Sequence, residues 1–256
     1  MKLIDQLATL YPDSSRRTLK SWIKWGRVRI DGSRVKDFDL EEGQKVELQK
    51  KENFVLYADR HLIAIEKPHG LLSVPDESGR TSALEILRQQ YRTVYPVHRL
   101  DQGASGVLLF ARSLDAKRRL SEMFRDHDLE REYVAIVEGR IAQKSGTWSF
   151  PLLELESYDV IVSDEGRDAI THFELMRFSA KFSYLRIKLE TGRKHQIRVH
   201  CKEVGHPIIG DKRYGSTLDP IRRLGLHACS LKFEHPITAK RMEFEAELPN
   251  FFKTPH

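Results

Sequence analysis

The chain holds two cysteines in 256 residues, Cys201 and Cys229. Two are too few for a disulfide framework and fit a reducing compartment, so a cytoplasmic protein is expected. No apolar run nears the roughly 18 residues of a membrane span, which points away from a membrane. The opening Met1-Lys2-Leu3-Ile4-Asp5-Gln6 puts an acid where the apolar core of a secretory leader would lie. There is no Gly-rich loop ending in Gly-Lys-Ser/Thr and no dinucleotide fingerprint, so no nucleotide cofactor is expected. Gly103-Ala104-Ser105-Gly106-Val107 lacks the second glycine of a nucleophile elbow. His195, His200, Cys201 and His206 are spaced so that three ligands do not share one helix face, and no metal is expected. Neither an internal repeat nor a low-complexity tract is present.

What is there reads as a globular chain, 40% hydrophobic and 31% charged, long enough for one large domain plus a small one. The net charge is +6. Its distribution says more than its size. Between Ser14 and Lys36 lie eight basic residues (Arg16, Arg17, Lys20, Lys24, Arg27, Arg29, Arg34, Lys36) and one acid, Asp31, a window of +7. A second cluster, from Arg186 to Arg213, has eight Lys/Arg against three acids. One such run is ordinarily a solvated face; two in separate segments point to a phosphate backbone.

Residues 1–50 read as a compact appended module. Leu3, Leu7 and Leu10 recur on one helix face. Ser14 or Ser15 caps a second helix through Trp25, with Leu19, Trp22 and Ile23 apolar and Gly26 ending it. Arg27–Ile30, an Asp31-Gly32 turn and Lys45–Leu48 supply short strands. Lys50-Lys51-Glu52-Asn53 is the expected linker to a second domain, 51–256. In that domain strands are expected at Phe54–Tyr57, Leu62–Ile65, Val107–Phe110, Tyr133–Val137, Ala169–Phe178, Tyr184–Leu189, Leu231–Phe233 and Met242–Glu245. Helices are expected from a capping box at Ser82–Glu85 to Tyr91, over Leu114–His127 and over Lys194–Val204. Strands do not alternate with helices, so the class is α+β with a largely antiparallel mixed sheet.

Two segments can carry chemistry. In Val97-His98-Arg99-Leu100-Asp101-Gln102-Gly103-Ala104-Ser105-Gly106 a polar, Gly-rich loop abuts the apolar strand Val107–Phe110. Rigid strands position such loops. Asp101 is its one carboxylate, a candidate nucleophile, unless an Asp–Arg pair merely holds the turn. In Glu190-Thr191-Gly192-Arg193-Lys194-His195-Gln196-Ile197-Arg198-Val199-His200, Thr191 or Gly192 is expected to open a helix with Arg193, His195 and Arg198 near its start, an anion site or a solvated basic face.

Taken together, the motifs identify a resemblance. His98-Arg99-Leu100-Asp101 with Ser105-Gly106, Arg131-Glu132-Tyr133, Thr191–His200, Gly205–Asp211 with Tyr214-Gly215, and Glu66-Lys67-Pro68 with Gly70 resemble the motifs of the RluA-type pseudouridine synthases, in that family's order over residues 54–248. The first 50 residues resemble an S-four-like (alpha-L) RNA-binding domain. The resemblance implies a pseudouridine synthase fold plus a small N-terminal S-four-like α/β domain. It also implies isomerisation of uridine in structured RNA, with ribosomal RNA of the large subunit favoured over transfer RNA. The reaction is redox-neutral and needs no cofactor. Asp101 is then the essential carboxylate, Tyr133 the aromatic that stacks on the flipped base and assists the final deprotonation, and Arg198 the cation partner of Asp101, with Arg193 second. Arg16, Arg17, Lys20, Lys24, Arg27, His98, Arg99 and Arg193 are the expected RNA contacts, and a monomer is expected. Ala104 departs from the family, which usually has Thr there; the lost hydroxyl implies a looser loop, by about 0.5–1.5 kcal/mol. Two rivals remain: a non-catalytic RNA-binding or ribosome-assembly factor, and a hydrolase using Asp101, for which no second acid is seen in these motifs.

Overall fold

The computed structural model describes residues 2–10, 16, 19, 23, 28–30, 33, 34, 44, 46–48 and 54–253. The chain divides into two compact units, Met1–Phe54 and Val55–His256.

In the first unit, helix α1 (Leu3–Leu10) buries Leu3 and Leu7. Leu10, expected on the same face, is exposed. Leu19 and Ile23 are helical and join Leu3, Leu7 and Val28 in a small core. Strand β1 (Val28–Ile30) pairs antiparallel with β2 (Ser33–Arg34) and β3 (Val46–Leu48). Arg16 is exposed and ion-paired with Asp5 at 2.9 Å. The expected contacts Arg17, Lys20, Lys24 and Arg27, with Trp22, Gly26, the Asp31-Gly32 turn and the linker 50–53, lie outside the described residues.

The second unit is built on a ten-stranded mixed sheet. Its strands are β4 (Val55–Ala58), β5 (Leu62–Lys67), β6 (Tyr95–Pro96), β7 (Ser105–Ala111), β8 (Glu130–Glu138), β9 (Ser145–Ser149), β12 (Ile170–Phe178), β13 (Phe182–Leu189), β14 (Leu226–Glu234) and β15 (Arg241–Glu245). A separate ribbon pairs β10 (Leu152–Glu154) with β11 (Val160–Val162). The main path runs β4-β5-β7-β14-β8-β13-β12-β9, with β15 on β14 and β6 on β7. The pairing of β7 with β14 is parallel and the others are antiparallel. All seven residues of β7 are buried, the continuous apolar run of a strand covered on both faces. Gly106 is needed there: its φ is +116°, and a Cβ would fall 2.0 Å from the Ala228 carbonyl oxygen of β14.

The helices start where capping chemistry says they should. Ser82 and Glu85 form the reciprocal box that opens α2 (Ala83–Arg88). The Ser113 side chain accepts the Ala116 amide to open α3 (Leu114–Asp126), and His127 closes it in the left-handed region. Two boundaries differ from expectation: α2 ends at Arg88 rather than near Tyr91, and the helix after β13 starts late. α4 spans Gln196–Glu203, and His195 precedes it in the left-handed region. Gly192 and Arg193 therefore lie in a loop, not in a first helical turn. That loop is organised by Gln196: its side-chain oxygen accepts from Thr191 and from the Arg193 amide, while its nitrogen donates to Ile170 and Thr171. Two short elements complete the unit, a 3-10 turn at Lys212–Tyr214 and α5 (Asn250–Lys253). No described helix is long and apolar enough to cross a membrane.

Candidate active site

Asp101 sits in the loop that enters β7. The loop is pinned from beneath by Lys67, which ends β5. The fully buried Lys67 ammonium donates to the carbonyls of Ala104 (2.6 Å), Leu71 (2.8 Å), Pro68 (3.1 Å) and Gln102 (3.3 Å). The Gly70 amide donates to Gln102 at 2.7 Å, and Ser73 bonds both backbone groups of Leu100. Ala104 is buried, and its carbonyl is held by Lys67. Burial pushes the Lys67 pKa down to about 7, with Asp101 opposing and Arg223 assisting.

Arg198 projects from the first turn of α4 to the Asp101 carboxylate, Nη1 to Oδ2 at 3.0 Å. Its other edge is held by Asp211, with Nε to Oδ2 at 2.7 Å and Nη2 to Oδ1 at 2.8 Å. Asp211 is a second acid near Asp101, contrary to the expectation of none. Both its oxygens face the guanidinium, so it fixes Arg198 rather than offering a free acid–base group. Burial works against the Arg198 charge, but its bonds to Asp211 and the charge of Asp101 outweigh that and raise its pKa.

Two residues outside the expected catalytic set complete the cluster. His195 Nε2 lies 3.6 Å from Asp101 Oδ1, and its Nδ1 is 2.7 Å from the Tyr214 hydroxyl. That hydroxyl accepts the Val160 amide, and the Tyr214 ring lies 4.8 Å from the Arg198 guanidinium carbon. Burial lowers the His195 pKa to about 4, with Arg198, Arg213 and Lys194 adding to it and Asp101 opposing. The ring is neutral at pH 7. The consistent proton arrangement has Tyr214 donating to Nδ1, which leaves the proton on Nε2, facing Asp101.

Tyr133 stands on β8, half-buried against the core that includes Ala104, Ile197 and Leu226. Burial raises its pKa, Arg131 opposes and the charge of Asp101 adds, so the ring is a neutral phenol at pH 7.

The expected RNA contacts separate. Arg99 is exposed. His98 stacks on Phe124 at 4.2 Å and its Nε2 accepts the Leu109 amide, so it turns toward the sheet and supports the loop. Arg193 is half-buried and donates to the Asp168 carbonyl, not to Asp101. His200 and His206 face the carbonyls of Phe150 and Glu138, and Cys201 is buried. Among the described residues no group of three His, Cys, Asp or Glu is placed to hold a metal ion. Two surface hollows along β9 and β12 are lined by neither Asp101 nor Arg198.

A sequence model described as RNA pseudouridylate synthase matches residues 61–203, which contain Asp101, Tyr133 and Arg198. The chain belongs to the RNA pseudouridylate synthase family. As a pseudouridine synthase it is an isomerase. A Bacillus subtilis protein named as an uncharacterized RNA pseudouridine synthase, YhcT, is 33% identical, over 92% of this chain and 86% of its own. The ribosomal large subunit pseudouridine synthase D of Xanthomonas campestris is 33% identical, over 95% of this chain and 84% of its own. The dual-specificity RNA pseudouridine synthase RluA of Haemophilus ducreyi is 39% identical, over 77% of this chain and 93% of its own. Human RNA pseudouridylate synthase domain containing 1, a solved structure, shares the fold with a TM-score of 0.65 and 23% identity, over 76% of this chain and 83% of that one.

Proposed function

We propose that this pseudouridine synthase acts on ribosomal RNA of the large subunit and that Asp101 is its essential carboxylate. The observation that carries the catalytic assignment is the Asp101–Arg198–Asp211 arrangement at the mouth of β7. The substrate assignment rests on the ribosomal large-subunit role named for the Xanthomonas relative and on the basic first unit.

The reaction breaks the bond from sugar C1′ to uracil N1 and forms one from C1′ to C5. The C5 proton leaves and N1 gains one, so nothing is oxidised or reduced. Asp101 acts at the sugar–base bond, and Arg198 gives its carboxylate a fixed counter-charge. Tyr133 receives the flipped base by stacking. As a neutral phenol it suits stacking better than taking the C5 proton. The first unit, read as an S-four-like domain, grips the RNA through phosphates, which position without reading sequence. Arg16, Arg17, Lys20, Lys24 and Arg27 make these contacts, and Arg99 extends the grip near Asp101. The protein works as a cytoplasmic monomer.

The test is conversion in vitro. Purified wild-type protein should form pseudouridine in a large-subunit ribosomal transcript, and Asp101→Asn should form none while still binding it. Uridine converted in transfer RNA alone would overturn the substrate assignment, and an active Asp101→Asn the catalytic one.

A further inference from the structure

Arg131 is a buried cation that the chemistry above does not use. It lies on β8 two residues before Tyr133, and 8% of its surface is exposed. Its Nε and Nη2 are sealed from solvent and have no hydrogen-bond partner. Among the described residues it makes no ion pair. A guanidinium buried without an acceptor or counter-ion is costly and is retained only for a reason. Its neighbours do not relieve it. Its charge reaches His98 and His127 and pushes both of their pKa values down, burial being the larger cause in each. The His127 Nδ1 is buried and unpartnered as well, and Arg193 adds its charge to the same histidine, with Asp126 and Glu190 opposing. The Arg131 guanidinium also has a made place. A Cβ on Gly192 would fall 2.3 Å from Nη1, so the bare glycine lets the Thr191–Gln196 loop lie directly against the guanidinium in this position. Gly192 itself is exposed, which puts the guanidinium just beneath the surface.

We propose that Arg131, under Gly192 and beside His127, is an anion seat that takes a backbone phosphate of the RNA next to the target uridine. The proposal rests on the reading of this protein as an RNA-modifying enzyme. The planar fork of Arg suits a phosphodiester, which can accept two of its N–H groups at once. A phosphate at this surface supplies the missing counter-charge. It also holds the strand beside Tyr133, where the flipped base is to stack.

The test compares wild type with Arg131→Met, which keeps the length without the charge, and Arg131→Lys, which keeps the charge. Binding of a large-subunit ribosomal transcript is measured across a salt series, with product formation scored separately. Arg131→Met should weaken binding about ten-fold and flatten the slope of log K against log salt by about one. Arg131→Lys should keep the slope. In the absence of RNA, Arg131→Met should melt at or above the wild-type temperature, because an unpaired buried charge has gone. Free inorganic phosphate should raise the melting temperature of wild type and not of Arg131→Met. If it does so while the salt slopes match, the seat takes free phosphate rather than RNA. Unchanged affinity and slope, or a lower melting temperature for Arg131→Met, would overturn the proposal and make Arg131 structural. A changed pH profile alone would point instead to an action through Tyr133. If the slope flattens but wild type makes no pseudouridine in the transcript, the seat stands and the ribosomal substrate reading falls.

Discussion

Asp101 and Asp211 share one arginine, yet their loss should have opposite signatures. Asp211 is nearly sealed, its side chain 2% exposed, and takes two charge-assisted bonds from Arg198. Asp211→Asn removes the charge and turns an amide donor toward one guanidinium N–H. Breaking one partner of a buried pair costs about 3–5 kcal/mol, and Asn recovers part of this through its remaining oxygen. We expect a loss of about 2–4 kcal/mol. At roughly 2–4 °C per kcal/mol for a domain of this size, the melting temperature should fall by about 5–15 °C. The Asp101 side chain is 22% exposed and takes a single bond. Asp101→Asn should cost about 1 kcal/mol or less. Activity should invert this order. Asp101→Asn should be inert, whereas Asp211→Asn should keep product formation with kcat lowered about ten- to hundred-fold, because Arg198 is held less well. Circular dichroism melts paired with single-turnover pseudouridine assays read both quantities. Equal melting temperatures for Asp211→Asn and wild type, or equal destabilisation by the two substitutions, would refute the division between a positioning and a reacting carboxylate.

Burial brings His195 and His227 down to about 4 and His98 to about 3, so all three are neutral in the folded protein at pH 6 and largely protonated there only once unfolded. With the unfolded state binding more protons, stability should fall as pH drops from about 6.5 toward 4; urea titrations at pH 7 and 4.5 check this, and equal midpoints would contradict it. Tyr214→Phe removes the hydroxyl that bridges Val160 and His195. It leaves the Val160 amide without its acceptor, so we expect about 1–3 kcal/mol lost and kcat reduced more than KM, measured by urea titration and steady-state assay; unchanged kcat would remove the Tyr214–His195 link from the account.

How much of this was legible in the sequence varies by element. The run of β7 could be read directly, because a strand covered on both faces is apolar throughout. The capping box of α2 could be read because its chemistry is local. Asp101 and Arg198 were found by motif, and they meet across 97 residues of sequence. Strands β6, β9, β10 and β11 lie outside the expected strands. They are short, and β9 exposes four of its five residues, so alternation leaves little signal. Lys67 lies within a recognised motif, but its role arises only where four carbonyls converge on its ammonium. Asp211 and Tyr214 lie within a recognised motif, but their bonds to Arg198 and His195 exist only once α4 is docked. The left-handed backbone of His195 moved the start of α4, since a Thr-Gly pair imitates a helix opening and the Gln196 side chain, not a cap, organises that loop.

The most direct test of the central claim is pseudouridine mapping of total ribosomal and transfer RNA from cells carrying wild-type protein, no protein, or Asp101→Asn. The account predicts one or more large-subunit ribosomal sites present in wild type and lost in both defective strains. Sites that persist in the Asp101→Asn strain but vanish without the protein would contradict it.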